Sequence, residues 1–302
     1  MKYIVVGPTI VNDIIFTDNT QVKQVLGGSI YCVAGIKIWE DDCLYISNVG
    51  NDFDSFYGNY MKSNDISYKG LNYILPHTWY TTLKYKENGL HSEKLIYGEK
   101  EEELLNEIDV VTSSMIANHC SDNTKGIYIE ASETSEIFKN IKIVKDKTKA
   151  KIMWEIPTSA SLDPSRKNDV LNVIKLVDIY SINVNEGLRL FNVTSESETI
   201  EKIIELNVPC FLRAGEKGSY MIVDKKAHFY ASLNIPKVID PTGCGNVSTA
   251  AALYGYCEGL HPEVIAKLAN ISASFNLNQF GPIPNTKEVR DLAKALLNSE
   301  LK

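Results

Sequence analysis

The chain has 302 residues, 44% of them hydrophobic and 23% charged, with a formal net charge of -7. That length and apolar content suffice for a large core, in one big α/β domain or one domain with an appendage. Lys and Arg are scattered with no basic block, which argues against nucleic acid and anionic membrane as partners but leaves room for a locally bound phosphate. In chain order, Tyr3-Ile4-Val5-Val6 is a short apolar run stopped by Gly7-Pro8, and it predicts a buried strand. Gly27-Gly28-Ser29 leads into a predicted helix from Ile30 to Trp39. Leu44 to Val49 predicts a second strand before Gly50-Asn51-Asp52. Further strands are predicted at Ile108–Val111, Ile127–Ile129, Ile152–Trp154, Val177–Ile182 and Val208–Leu212. Polar stretches with helical spacing, such as Ile200-Ile203-Ile204, lie between most of them. Continuous apolar strands alternating with amphipathic helices predict an α/β fold with a mainly parallel sheet and helices on both faces.

One segment breaks this pattern. Thr78 to Tyr85 is rich in β-branched and aromatic residues, Lys86-Glu87-Asn88-Gly89 follows, and Leu95-Ile96-Tyr97 comes next. Asn-Gly between β-prone runs is a strong hairpin signal. With Asn12 to Val25 it predicts a small β lid, from about 12–25 and 72–98; the alternative is an extra antiparallel edge of the main sheet. Glu99 to Glu103 reads as a solvated helix face, and polar residues 194–201 lead into a helix. No repeat or long linker appears, so 1–302 reads as a single domain. Cys32, Cys43, Cys120, Cys210, Cys244 and Cys257 show no C-x-x-C and no zinc spacing, which predicts reduced thiols. The opening apolar run is too short for a signal peptide, and no segment approaches about 20 continuous apolar residues. A cytoplasmic protein is expected.

The chemistry concentrates in I-D-P-T-G-C-G-N-V-S-T-A, residues 239–250. Gly243 and Gly245 let backbone approach a ligand, and a helix should begin near Cys244 to Val247, with Val247, Ala250, Ala251, Tyr254 and Cys257 on one face and Gly259 at its end. Free N–H groups of a first helical turn favour an anion. A purely structural glycine turn is the alternative. Gly27-Gly28-Ser29 offers a second meeting of backbone N–H with polar ligand groups. Asn183 and Glu186 follow a strand and would stand at the sheet edge where α/β folds bind ligands. They suit the water shell of Mg²⁺, although Glu186 serves equally as a helix-start carboxylate. Arg213 to Tyr220 reads as strand, turn, strand.

Together these pieces resemble the ribokinase-like (PfkB-type) sugar and nucleoside kinases. That family shows an N-terminal Gly-Gly, a central N-x-x-E, a G-x-x-G turn and a D-T/P-x-G-A-G-D motif. Here they stand as Gly27-Gly28, Asn183-Val-Asn-Glu186, Gly215-Glu-Lys-Gly218 and Asp240-Pro-Thr-Gly-Cys-Gly-Asn246. Val49-Gly50-Asn51-Asp52 with Gly58, and Ala269 to Ala273 with Gly281, look like two further family segments. The resemblance implies phosphoryl transfer from ATP, with Mg²⁺, to a sugar or nucleoside hydroxyl. It implies that Gly243, Cys244 and Gly245 form the anion hole. Asn183, Glu186, Gly215, Gly218, Thr242 and Asn270 would serve the nucleotide, with Glu186 holding Mg²⁺ through water. Asn12, Asp13, Gly27, Gly28 and Cys32 would face the acceptor. It also implies a homodimer paired through the lid.

The departures fall on the acceptor side. The family's final Asp, its general base, is matched by Asn246, and its acceptor-binding Asp by Asn12, with Asp13 adjacent. Cys32 stands where an Asn binds sugar hydroxyls, and Glu155 matches the Asp after a central strand. An amide has no titrating group in the working range, and a positioned base contributes roughly 10²–10⁴ in rate. Phosphoryl transfer makes little demand on early deprotonation, so residual activity fits. Three readings follow: a kinase helped by another base such as Asp13 or water, a pseudokinase that binds without turnover, or an Asn246 introduced in place of Asp. A dinucleotide oxidoreductase wants G-x-G-x-x-G after the first strand, and Gly7-Pro8-Thr9 lacks it. His77, Trp79 and Tyr80 are candidates either to stack on an acceptor or to fill the appendage core.

Overall fold

Tyr3 and Val5 pack into one hydrophobic core and Ile4 and Val6 into another. A strand buried on both faces has no polar side to show, which is why this run is unbroken. The computed structural model describes residues 1–86 and 91–299. In chain order its strands are β1 (Tyr3–Val6), β2 (Thr9–Ile15), β3 (Gln21–Gly28), β4 (Cys43–Gly50), β5 (Leu71–Leu75), β6 (Trp79–Tyr85), β7 (His91–Leu95), β8 (Gly126–Glu130), β9 (Lys151–Glu155), β10 (Ile179–Asn183), β11 (Cys210–Arg213), β12 (Gly218–Val223) and β13 (Lys226–Ala231). The main sheet has the order β13-β12-β11-β10-β9-β8-β1-β4-β5. It is parallel from β5 to β11 and antiparallel through β12 and β13. The helices Ile30–Lys37, Cys244–Cys257 and Pro262–Asn276 cover one face. Val184–Phe191 and Glu196–Leu206 belong to the other.

The lid is a separate four-stranded sheet, ordered β3-β2-β6-β7, and not an added edge of the main one. Its outer pairs are antiparallel, while β2 and β6 run parallel. Ile14, Val25 and Leu83 form its own small core, with Phe16, Val22 and Tyr85 packed against them. The expected Asn88-Gly89 turn lies outside the described residues.

Three expectations need correction. Leu71–Leu75 pairs in parallel with β4, so residues 72–75 belong to the main sheet and not to the lid. The second hairpin strand is His91–Leu95, and Ile96 and Tyr97 lie beyond it. Ile108–Val111 is not a strand: Ile108 ends the helix Glu99–Ile108, and Leu105 and Ile108 join Leu75, Leu95 and Trp79 in a small cluster. Ile108 stands at helical spacing from Leu105 and so belongs to that helix rather than to a run with Val110 and Val111. Of the two roles open to His77 and Trp79, their contacts favour the one within the appendage. Trp79 Nε1 donates to Asp109 Oδ2 at 2.7 Å, and His77 Nε2 lies 2.8 Å from Glu101 Oε1. The polar stretch at 194–201 forms a capping box, in which Ser195 and Glu198 each accept from the other's backbone N–H. Among the described residues no helix is long and apolar enough to cross a membrane. All six cysteines are free thiols.

Candidate active site

Four neighbouring parallel strands end in polar residues: β8 in Glu130, β9 in Glu155, β10 in Asn183 and β11 in Arg213. Glu130 is in register with Glu155, and Asn183 with Arg213. Parallel strands carry their carboxyl ends to one edge, the edge where open α/β sheets bind ligands. Arg213 ties the row together. Its Nη1 lies 2.9 Å from Glu155 Oε1 and its Nη2 3.7 Å from Glu186 Oε2. Burial opposes the charge on Arg213, but the facing carboxylates of Glu155 and Glu186 more than offset it and hold the proton more firmly. Asn183 caps the helix Val184–Phe191: its side chain accepts from Glu186 N at 2.9 Å, and Glu186 Oε2 accepts from Asn183 N at 2.9 Å. Thr158 Oγ1 donates to Glu186 Oε1 at 2.7 Å. The spacing of Asn183 and Glu186 is therefore first a helix start, and the cap fixes the carboxylate beside Arg213.

The glycine turn is built next to this row. Asp240 Oδ1 accepts from Thr242 N at 2.9 Å and from Thr242 Oγ1 at 2.6 Å. Gly243 takes φ +78°, and a Cβ there would lie 2.3 Å from the Tyr31 ring, so only glycine fits. The helix then starts at Cys244. Cys244 N donates to Pro241 O and Val247 N to Gly243 O. The N–H groups of Gly245 and Asn246 have no acceptor among the described residues. A Cβ on Gly245 would lie 2.1 Å from Arg213 Nη1, so the guanidinium rests against the same turn. Free donors, a helix start and a cation converge where an anion would bind. The Cys244 thiol takes no part: Asn276 Nδ2 donates to it at 3.3 Å, and burial pushes it up to about 12. The lid closes over this turn. Tyr85 OH and Thr242 Oγ1 are 2.9 Å apart, and Phe16 stacks on Tyr85 with centroids 5.7 Å apart.

The acceptor side meets the turn at Asn246. Its Nδ2 donates to Glu130 Oε2 at 3.1 Å, and Ser29 Oγ donates to the same oxygen at 2.5 Å. Cys32 is fully buried beside them; burial raises its thiol and the charges of Glu130 and Glu155 add to it. Gly28 takes φ +66°, and a Cβ on Gly27 would lie 2.1 Å from Asn12 Nδ2. Asn12 Oδ1 accepts from Thr81 Oγ1 at 2.7 Å. So Asn246, Cys32 and the turn ending in Ser29 come together, with Asn12 packed behind Gly27. Asp13 is one residue along β2 and takes the other face of the lid. It accepts from Tyr80 OH at 2.8 Å and from Gln24 N at 3.0 Å.

The nucleotide-side candidates differ among themselves. Gly215 takes φ +60° with nothing within 4 Å of an added Cβ. Gly218 takes φ +131°, and an added Cβ would lie 2.1 Å from Tyr230 O. Asn270 is a staple: it accepts from Ser219 Oγ at 2.8 Å and donates to Tyr230 O at 2.8 Å and Ala231 O at 3.2 Å.

Sequence reasoning passed over Glu130 and Arg213 as functional residues. The available signal was G-I-Y-I-E, an apolar strand ending in a carboxylate just as K-I-M-W-E does. Burial, then the charge of Glu155, raises the Glu130 carboxyl to about 7, while hydrogen bonds from Ser29 and Asn246 and the charge of Arg213 pull it back. A carboxyl raised in the folded state binds its proton more tightly there than when unfolded. Its contribution to stability is thus full at acid pH and is lost as pH rises from the ordinary carboxylate range through about 7. Thermal melts between pH 5 and 8 are expected to show this decline, and Glu130→Gln should flatten it. An equally steep decline in the variant would rule Glu130 out as its source.

The sequence profile described as pfkB family carbohydrate kinase matches residues 2–289. Protein MAK32 of Saccharomyces cerevisiae (strain ATCC 204508 / S288c) is 30% identical over 156 residues, 44% of this chain and 43% of that protein. A ribokinase of Arabidopsis thaliana is 30% identical over 165 residues, 52% of this chain and 42% of that protein. These matches thus span less than half the length of either curated relative. Among solved structures, Burkholderia thailandensis nucleoside kinase in complex with inosine superposes with a TM-score of 0.77 at 15% identity, covering 99% of this chain and 98% of that one. A putative ribokinase II from E. coli in complex with ATP and Mg²⁺ gives 0.76 at 17% identity, covering 99% of each chain. At such identities the likeness establishes the α/β fold with its lid.

Proposed function

Because this chain belongs to the pfkB family of carbohydrate kinases, we infer that it transfers the γ-phosphoryl group of ATP to a hydroxyl of a sugar or nucleoside. One observation carries the reading: the N–H groups of Gly245 and Asn246 have no acceptor among the described residues, and the Arg213 guanidinium rests against the same turn. Most of the catalysis of phosphoryl transfer is positioning and charge stabilisation, which such donors supply. The residues suit a metal too. Mg²⁺ is usually held by one or two carboxylates plus waters and phosphates, and Glu186, its oxygens already engaged by Thr158, Asn183 N and Arg213, would hold the ion through water at the sheet edge. Bound there, the ion would neutralise charge on the phosphates. Gly215, with open space above it, and Thr242 suit the nucleotide side. Gly27 and Gly28 suit the acceptor side, with Asn12 and Cys32 buried behind them. The named relatives act on both sugars and nucleosides, so the acceptor class spans both.

The test is calorimetric titration of a MgATP analogue, followed by ADP release with D-ribose, adenosine and inosine. Acceptor-dependent ADP is the expected result. Nucleotide binding without turnover would favour the pseudokinase reading carried by Asn246, and no nucleotide binding would sink both. Where position 246 itself takes the proton, Asn246→Asp raises turnover roughly ten- to hundred-fold, within the range of a positioned base. Its affinity for MgATP should stay within about two-fold of the original, because Asn246 lends the phosphate its backbone and not its side chain. A fall in turnover would show that the amide is adapted to its place.

A further inference from the structure

The kinase reading, on which this inference rests, leaves an amide where the acceptor hydroxyl must lose a proton. The nearest carboxylate to that amide is Glu130, whose Oε2 accepts from Asn246 Nδ2 at 3.1 Å and from Ser29 Oγ at 2.5 Å. Both bonds fall on one oxygen; Oε1 takes none among the described residues, and the residue is only half-buried. We propose that Glu130 is the proton acceptor of the reaction, and that Asn246 is a positioning residue that holds its carboxylate toward the acceptor hydroxyl.

The other candidates are each occupied or misplaced. Glu155 is engaged at both oxygens, by Arg213 and by the Tyr128 hydroxyl. Asp13 lies on the far face of the lid, bound to Tyr80 and Gln24. Asp240 Oδ1 is taken by Thr242, and its Oδ2 is sealed from solvent. The Cys32 thiol is fully buried and held protonated. In the step proposed, the acceptor oxygen forms its bond to the γ-phosphorus as the bond to the β-γ bridging oxygen breaks. The hydroxyl proton passes to Glu130, ADP leaves with the bond electrons, and Glu130 later returns the proton to water. The groups facing Glu130 are Glu155 from β9, Arg213 from β11, Tyr128 from β8, Tyr45 from β4, Cys32 and Ser29 from the second glycine turn and its helix, and Asn246. Burial and Glu155 raise the carboxyl to about 7, so it exchanges protons within the working range of pH.

The experiment is a pH–rate profile of ADP release with D-ribose, adenosine and inosine, on the natural sequence, Glu130→Gln, Asn246→Asp and the double variant. Glutamine keeps the shape of Glu130 and a carbonyl that can accept from Ser29 and Asn246. The expected result is a rate that rises with pH through an inflection near 7 in the natural sequence. In Glu130→Gln, turnover should fall by roughly 10²–10⁴ and the inflection should vanish, with the affinity for MgATP retained in calorimetry. Adding Asn246→Asp to Glu130→Gln should restore at least about ten-fold of that loss and bring back a titration, now belonging to the new carboxylate. Turnover and inflection both unchanged in Glu130→Gln would overturn the proposal. A fall that Asn246→Asp does not relieve would overturn it as well, by showing a purely structural role. Absence of acceptor-dependent ADP from every variant would instead remove the kinase reading and this inference with it.

Discussion

Arg213→Met lowers stability by roughly 3–5 kcal/mol, the cost of leaving buried carboxylates without their partner. For a chain of this size that corresponds to a fall in melting temperature of roughly 6–15 °C. The guanidinium retains 16% side-chain exposure, which favours the lower half of that range. The two carboxylates it faces are more enclosed, with Glu155 at 8% and Glu186 at 3% relative exposure. Methionine fills much of the space but brings no charge. Both carboxylates would then lose their cation, leaving Glu155 with the Tyr128 hydroxyl alone and Glu186 with Thr158 Oγ1 and Asn183 N. Adding Glu155→Gln should recover part of the lost stability, since removing both members of a buried pair costs less than removing one. Melting temperatures of the unsubstituted chain, Arg213→Met and the double variant check this. A double variant no more stable than Arg213→Met would show that packing, not charge, is what Arg213 contributes.

Much of this architecture is legible from local pattern. Runs such as Tyr3–Val6 and Ile152–Trp154 are apolar without interruption because two cores press on them, and no helix of that length would need such a run. The lid is legible because Thr78 to Tyr85 carries β-branched and aromatic residues on both sides of the strand. The site divides differently. The glycine turn is visible because backbone conformation restricts side chains at Gly243, whose φ of +78° and contact with Tyr31 exclude any larger residue. Glu130 and Arg213 are not visible in this way. A charged residue at the end of a strand looks the same whether it meets water or three other strand ends. What decides is that β8, β9, β10 and β11 lie side by side in chain order, an arrangement made by the crossovers between them that no single strand's residues specify. Asn183 and Glu186 show the converse. Their spacing signals both a helix cap and a ligand site, and the capping box accounts for it without any ligand. The edge strand Leu71–Leu75 escaped for a similar reason: its mixed, half-exposed sequence has no clean period, and pairing with β4 alone makes it a strand.

Gly245→Val is expected to weaken MgATP binding roughly 10- to 100-fold. Each charge-assisted hydrogen bond from backbone N–H to phosphate is worth roughly 1.5–3 kcal/mol, and about 1.4 kcal/mol is ten-fold in affinity. A side chain on Gly245 enters space already held by Arg213, whose Nη1 would lie 2.1 Å from the new Cβ. The guanidinium is the far end of a long side chain and would normally swing aside at small cost. Here it is tied to Glu155 at 2.9 Å, so moving it breaks an enclosed ion pair. The variant must therefore either shift the first turn of the helix, withdrawing the N–H groups of Gly245 and Asn246, or displace the cation that flanks them. Both routes remove phosphate contacts. Gly259→Ala separates this from a general loss of stability. Gly259 also has a positive φ, +68°, with nothing within 4 Å of an added Cβ, and it lies beyond the opposite end of the same helix. Alanine there should cost roughly 1–2 kcal/mol of stability through its backbone conformation, with the nucleotide affinity unchanged. Calorimetric titration of a MgATP analogue into both folded variants decides the matter. If Gly245→Val binds as tightly as the natural sequence, the first turn of this helix is not where the phosphate sits.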